Sequence, residues 1–322
     1  MIFDYKKYLE RNRGKSMIIP ERLKIGDTIG VVAPSDIIEE KDWQDVNNSI
    51  QLMEKSGFKV LLSKNVASKT LKYGATPQEK AEDIHNMFKN VEIKAVFAVK
   101  GGCNSNSIFD YLDYELIKQN PKILCGFSDT TSITNVITEK TGLVTFNGPT
   151  FKSLTSWETD YGYKEVIKRF VDCSLELGTS EEEYITIKDG LAEGKLIGGN
   201  LSLISQLVCG KHQVDFTNKI LFIEELGWES EPVRVSNYLY YMKQNGVFDK
   251  IKGIWLGNYT HESGITLEEI LLDIIGNEFK GPIIKSENFG HIDKKTVIPI
   301  GIKAKIDTNE KVKIRLLENC VK

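Results

Sequence analysis

Apolar runs and amphipathic stretches take turns along the first half of the chain. Residues 28–35, TIGVVAPS, read as a buried strand that stops at Pro34-Ser35. A helical pattern over 38–56 is ended by Gly57, and KVLLS at 59–63 is the next strand. TPQEKAEDIHNMFKN, 76–90, has apolar residues at helical spacing, Thr76 placed to cap it and Pro77 at its first helical position. Then come a strand over 93–102 that runs into a double glycine and a helix over 107–120 broken near 112. KILCGFS, a helix over about 130–140, and GLVTFNGP at 142–149 follow. Strands that alternate with helices predict a parallel sheet covered on both faces, in an α/β domain spanning 17–155.

The pattern changes afterwards. Residues 156–190 are polar and acidic and read as a linker or crossover that contains a helix. A second domain, 191–322, opens with GKLIGGNLSLISQLV and continues with a strand, a loop and a helix over 219–248. Two strand-plus-loop units follow, 251–261 and 281–291, and the alternating tail predicts a hairpin around Thr308-Asn309. Residues 1–16 read as an extension or a frayed helix.

Composition narrows the function classes. A net charge of −3 leaves no basic footprint for nucleic acid or an anionic membrane. No apolar run approaches the ~18 residues of a membrane span, and the N-terminus lacks a signal-peptide core, so the cytoplasm is the expected compartment. The five cysteines are isolated, with no CxxC, which argues against zinc ribbons and thioredoxin-type chemistry. Cys125 lies in an apolar strand and reads as a core residue. Cys103 follows two glycines and is a weaker nucleophile candidate than the serine close by. No metal-ligand spacing and no P-loop or GxGxxG fingerprint is present, so no metal or cofactor is expected.

In an open α/β sheet, ligands bind beyond the carboxyl ends of the strands. Ser128, in Gly126-Phe127-Ser128-Asp129-Thr130, stands where a strand turns into a helix. Free N–H groups and the positive end of the helix dipole favour developing negative charge there. The turn resembles the hydrolase elbow G-x-S-x-G, with Thr130 in place of the trailing glycine. By the motif alone, a helix cap at Ser128 or Asp129 is the stronger reading. A serine nucleophile needs a base, and the base needs an orienting carboxylate. Of four histidines, His85 sits on an amphipathic helix and His212 in a polar loop. His261 and His291 both follow strands, which leaves both open. KILFIEE ends in Glu224 and Glu225, which alternation points to opposite sides, so that only one enters a site. Gly101-Gly102, at a neighbouring strand end, offers an unobstructed amide for an oxyanion, and the amide of Asp129 offers a second.

Several segments together resemble one family, the serine peptidases that include the LD-carboxypeptidases (muramoyltetrapeptide carboxypeptidases) and the microcin C self-immunity proteins. They are LKIGDTIGVVAPSD, VKGGCNSNSIFDYLDYELI, PKILCGFSDTTSI, FNGP, GKLIGGNLSLI, ILFIEE, GVFDKIKGIWLGNY and NFGH, in the family's order from about residue 20 onward. The resemblance implies Ser128 as nucleophile, Glu224 as acid and His291 as base. It implies an N-terminal domain like the class I glutamine amidotransferases, a smaller β-rich C-terminal domain, a homodimer, and no cofactor. Lys100 stands where the carboxypeptidases commonly carry arginine. The segment before GGN is short and lacks the tryptophan usual in the microcin-immunity branch.

The expectation is therefore a serine carboxypeptidase that releases a terminal D-alanine from a murein tetrapeptide. Arg234 is the candidate for the substrate carboxylate and Trp228 for a further substrate contact. A hydrolase of peptidyl or aminoacyl nucleotides is the alternative within the same chemistry. A binding protein without turnover on the same scaffold is the alternative outside it.

Overall fold

A computed structural model describes residues 16–70, 73–155, 160–178 and 183–322. The stretch 1–16, except for its last residue, lies outside the described residues, as do parts of the acidic segment between the domains.

The first sheet is built from β1 (Thr28–Val32), β2 (Lys59–Leu62), β3 (Ile93–Ala98), β4 (Ile123–Gly126) and β5 (Thr145–Asn147). Their mutual pairings are all parallel. Helices α1 (Asp42–Lys55), α2 (Pro77–Lys89), α3 (Tyr114–Gln119) and α4 (Thr131–Thr141) make the crossovers. Helix α2 starts as expected: Thr76 and Glu79 form a reciprocal capping box, with Pro77 at the first turn. The break near residue 112 is real. A 3₁₀ turn over Ser105–Ile108 precedes α3, and the Asp113 side chain caps α3 by accepting from the Leu116 N–H.

After α5 (Tyr161–Phe170) the chain enters the second sheet. Its members are β6 (Tyr184–Lys188), β7 (Leu191–Asn200), β8 (Lys219–Glu225), β9 (Gly253–Tyr259) and β10 (Ile283–Ser286), joined by β12 (Lys303–Asp307) and β13 (Ile314–Leu316). The order is β13-β12-β7-β8-β9-β10-β6. The central strands β7 to β10 are parallel and the outer pairings antiparallel. Between them run α6 (Leu201–Ser205), α7 (Pro232–Gln244), α8 (Val247–Lys250) and α9 (Leu267–Ile275). The Thr266–Glu269 capping box starts α9. Its T-x-x-E signature lies in the sequence between the units 251–261 and 281–291.

Two segments cut across the sequence boundaries. β6 lies in the stretch read as linker, yet it edges the second sheet against β10. β11 (Ile298–Ile300) lies among C-terminal residues, yet it pairs antiparallel with β5 and edges the first sheet. Edge strands of three to five residues carry too little period-2 signal to be assigned from sequence.

Apolar packing is continuous between the sheets. Ile133 and Val136 of α4 share one cluster with Ile197 of β7 and Leu201 and Ile204 of α6. Phe146 and Phe170 share another with Phe222, Trp255 and Phe289. Each such side chain removed from water contributes about 1.5–3 kcal/mol before entropy is counted. This contact holds the carboxyl ends of the two parallel strand sets against each other.

Candidate functional site

β4 stops at Gly126, where a Cβ would stand 2.6 Å from the Thr130 hydroxyl. That hydroxyl donates to the Phe127 carbonyl (2.8 Å) and closes the turn. Thr130 thus supports the elbow that a trailing glycine would otherwise ease. Ser128 sits at φ 62°, in the left-handed region that costs a non-glycine residue about 1–2 kcal/mol. The turn is held from beneath by Ser105, whose N–H donates to the Asp129 carboxylate (2.9 Å) and whose hydroxyl donates to the Asp129 carbonyl (2.7 Å). Burial raises the Asp129 carboxyl, opposed by hydrogen bonding from Ser35 and Ser105 and by the charge of Lys80. The loop after β3 lies directly against the serine: a Cβ on Gly101 would come within 2.9 Å of Ser128 Cβ and 3.2 Å of its Oγ. The amide of Asp129 stands one residue past Ser128, at the start of the 3₁₀ turn Ser128–Thr130 that leads into α4.

The second sheet supplies the remaining partners. His291 Nε2 is 2.9 Å from Ser128 Oγ, and His291 Nδ1 is 2.8 Å from Glu224 Oε2. The carboxylate can only accept, so Nδ1 carries the ring proton and Nε2 is left to accept from the serine. Gly290 makes the approach possible. It has φ +118°, and a Cβ there would lie 3.0 Å from Asn258 Cβ and 3.1 Å from Glu224 Oε2. The Phe127 ring packs on the imidazole with centroids 4.9 Å apart. Glu224 is buried, and the histidine is largely covered.

The other histidines have other partners. His261 bonds Glu231 (3.0 Å) and Ser263 (2.8 Å). His85 accepts from the Asp113 N–H, and His212 pairs with Asp110.

Of the two glutamates only Glu224 reaches His291, as strand alternation implies, while Glu225 turns to backbone N–H groups. Both are buried, and both accept from the Asn200 side-chain amide, at 3.2 Å to Glu224 Oε1 and 2.7 Å to Glu225 Oε1. Glu225 also accepts from the backbone N–H groups of Ser202 (2.8 Å) and Leu226 (3.0 Å). Burial and then the charge of Glu224 push its carboxyl up to about 7, against these three donors.

Asn200 and Lys295 escaped the sequence reading. Asn200 is signalled only by its place after two glycines and before a short helix, whose N-cap it is. Its backbone N–H donates to Thr131 Oγ1 (3.1 Å), so one residue touches the serine's helix and both glutamates. Lys295 sits in the run Asp293-Lys294-Lys295, which reads as surface. It is buried instead, its Nζ 4.7 Å from the centroid of the Phe127 ring. Burial lowers it to about 8, opposed by Asp293 and Glu224.

Arg234 and Trp228 meet each other: the guanidinium carbon lies 3.3 Å from the centroid of the indole, a cation–π stack. Trp228 remains 68% exposed, in the loop that follows Glu225. Lys100, just before the glycine pair, donates to the buried Asp42 carboxylate (2.8 Å), and Lys152 bonds the same group. Burial would raise Asp42, but the two ammonium partners prevail and hold it at about 2. Cys125 is buried as expected. Cys103 is exposed, its thiol raised by partial burial and by Asp129 and Asp36. Among the described residues no group of three or more His, Cys, Asp or Glu could hold a metal ion, and no helix is long and apolar enough to cross a membrane.

The chain is similar to known proteins over most of its length. The chain is 30% identical over 308 residues to a probable murein peptide carboxypeptidase of Bacillus subtilis, covering 92% of this chain and 93% of that protein. It is 27% identical to the microcin C7 self-immunity protein MccF of Escherichia coli, covering 90% and 93% respectively. Among solved structures, an MccF-like protein from Bacillus anthracis superposes with a TM-score of 0.84 at 28% identity, over 94% of this chain and 99% of that one. Residues 29–148 match the LD-carboxypeptidase N-terminal domain and residues 193–306 the LD-carboxypeptidase C-terminal domain. The two-sheet α/β chain belongs to the LD-carboxypeptidase family of serine-type carboxypeptidases.

Proposed function

We propose that Ser128, His291 and Glu224 act as nucleophile, general base and orienting acid in hydrolysis of an amide bond next to a substrate's terminal carboxylate. The observation that carries this reading is the unbroken hydrogen-bond line from Ser128 Oγ through the imidazole to the buried Glu224. In the first step Oγ bonds to the carbonyl carbon while its proton moves to His291 Nε2. The amides of Gly102 and Asp129 receive the oxyanion. Collapse breaks the C–N bond, and the leaving amine takes the proton from the imidazolium. Water, deprotonated by the same histidine, then releases the acyl group.

The substrate of this reading is a murein tetrapeptide, and the product a terminal D-alanine, in the cytoplasm and with the enzyme as a homodimer. Arg234 and Trp228, at the mouth of the loop after the acid strand, would contact the peptide. Ser128→Ala should abolish D-alanine release from purified tetrapeptide while the fold stays within about 1 kcal/mol of wild type, the value of one hydrogen bond. Retained turnover would reject the assignment. The exposed face of Trp228, opposite the Arg234 guanidinium, favours a second reading, hydrolysis of peptidyl or aminoacyl nucleotides, because it offers a stacking surface to a base. Assaying both substrates on one preparation separates the two.

A further inference from the structure

We propose that Glu225 is a positioning residue for the reaction: a second carboxylate, joined to Glu224 through the Asn200 amide, whose ionisation supplies additional negative charge behind His291 as the imidazolium forms. This rests on the Ser128–His291–Glu224 reading above.

The geometry makes the pair a unit. One amide nitrogen serves both acids, closer to Glu225 (2.7 Å) than to Glu224 (3.2 Å). Every hydrogen bond made to Glu225 comes from a donor: Asn200 Nδ2 and the N–H groups of Ser202 and Leu226. The pocket is therefore shaped for the ionised form, while burial and the neighbouring Glu224 oppose it and leave the group near 7. Once ionised, Glu225 draws the Asn200 amide to itself. Glu224 is then less satisfied by that amide and turns more of its charge toward His291. Both effects favour the transition state, in which the ring becomes positive.

Other groups facing Glu225 do not replace it. Tyr238 from α7 and Tyr259 from β9 both feel its charge; burial is the main cause that raises each of them, and they are neutral at working pH. Arg234 reaches Tyr238, Glu229 acts on Tyr238, and Glu231 acts on Tyr259 and bonds His261. Lys295 approaches from the far side, beside Glu224 and Phe127. These groups are common to wild type and an E225Q variant, so a ratio of the two rates isolates the Glu225 charge.

The test is kcat on the tetrapeptide between pH 5.5 and 8.5 for wild type and E225Q, with folding checked by circular dichroism. At pH 5.5 the two should be close, since both carry a neutral group. The wild-type to E225Q ratio should climb through about pH 7 and reach roughly tenfold, the size expected for one charge acting across a partly polar site. KM should change little. A ratio that stays constant across the range means that Glu225 only holds the fold, and overturns the proposal. A second measurement needs no turnover: carbon-13 NMR of glutamate carboxyls in full-length Ser128→Ala protein should show one buried group titrating near pH 7 that E225Q removes. If E225Q does not fold, E225A takes its place in the same wild-type ratio, and a ratio that stays constant with pH overturns the proposal. Turnover persisting in Ser128→Ala would instead reject the underlying serine assignment.

Discussion

The left-handed backbone at Ser128 makes a prediction that runs against the usual behaviour of glycine. Replacing Ser128 by alanine keeps a Cβ at φ 62° and so keeps the strain, about 1–2 kcal/mol. Replacing it by glycine releases that strain but gives the unfolded chain more freedom, which costs about 0.4–1 kcal/mol. Both variants lose the hydroxyl's bond to His291, so that term cancels between them. The balance leaves Ser128→Gly more stable than Ser128→Ala by roughly 1 kcal/mol. At the usual unfolding entropy per residue, this chain length converts 1 kcal/mol into about 1.5 °C of Tm. Urea unfolding followed by fluorescence, with both variants on the same day, resolves such a difference. If the glycine variant is the less stable by the ordinary 0.4–1 kcal/mol, the turn stores no strain and the elbow argument fails. Neither variant should turn over substrate, so the comparison reads the backbone alone.

Four further outcomes are expected. His291→Ala should lower kcat by about 10⁴-fold with little change in KM, measured by D-alanine release, because it removes the base and leaves binding intact. Gly101→Ala should cut kcat by about 10²-fold while the far-UV spectrum stays native, since its methyl would press on the serine at 2.9 Å. Asp42 is held at about 2 in the folded protein, below its unfolded value, so it stabilises above about pH 4 and that stability is lost as pH falls toward 2. Asp42→Asn should therefore cost about 2 kcal/mol at pH 7 in urea unfolding, with the gap to wild type closing below pH 3. Lys295 is lowered to about 8, below its unfolded value, so burying it as a cation opposes folding below pH 8, and the penalty fades as pH rises from 8 to about 10.5. Lys295→Met should be the more stable protein at pH 7, and its margin over wild type should shrink across that alkaline window.

Much of this architecture is legible in the residues because strand ends and helix caps are local. Thr76-Pro77 starts a helix, Gly57 ends one, and Ser128 follows an apolar run wherever that run is placed. The choice between His261 and His291 is not local. Both end parallel strands of one sheet, at β9 and in the loop after β10, so spacing treats them alike; the resemblance implies His291, whose Nε2 lies 2.9 Å from Ser128 Oγ. That Glu224 and Glu225 also share the Asn200 amide is not local either, because Asn200 stands on a neighbouring strand more than twenty residues away. Lys295 was illegible for a related reason. A charged run reads as solvated unless the packing of Phe127 and Glu224 around it is known.

The return of β11 to the first sheet bears on how the protein is assembled and dismantled. The polypeptide that has just delivered His291 is stitched seven residues later onto β5, beside the serine's own strand. The halves are consequently not exchangeable cassettes. A fragment cut before residue 298 would leave β5 with bare amide and carbonyl groups along its outer side, a surface that invites intermolecular strand addition. Protein synthesis must pass Ile300 before the serine half is closed, so a nascent or truncated chain is the form that most needs protection from self-association.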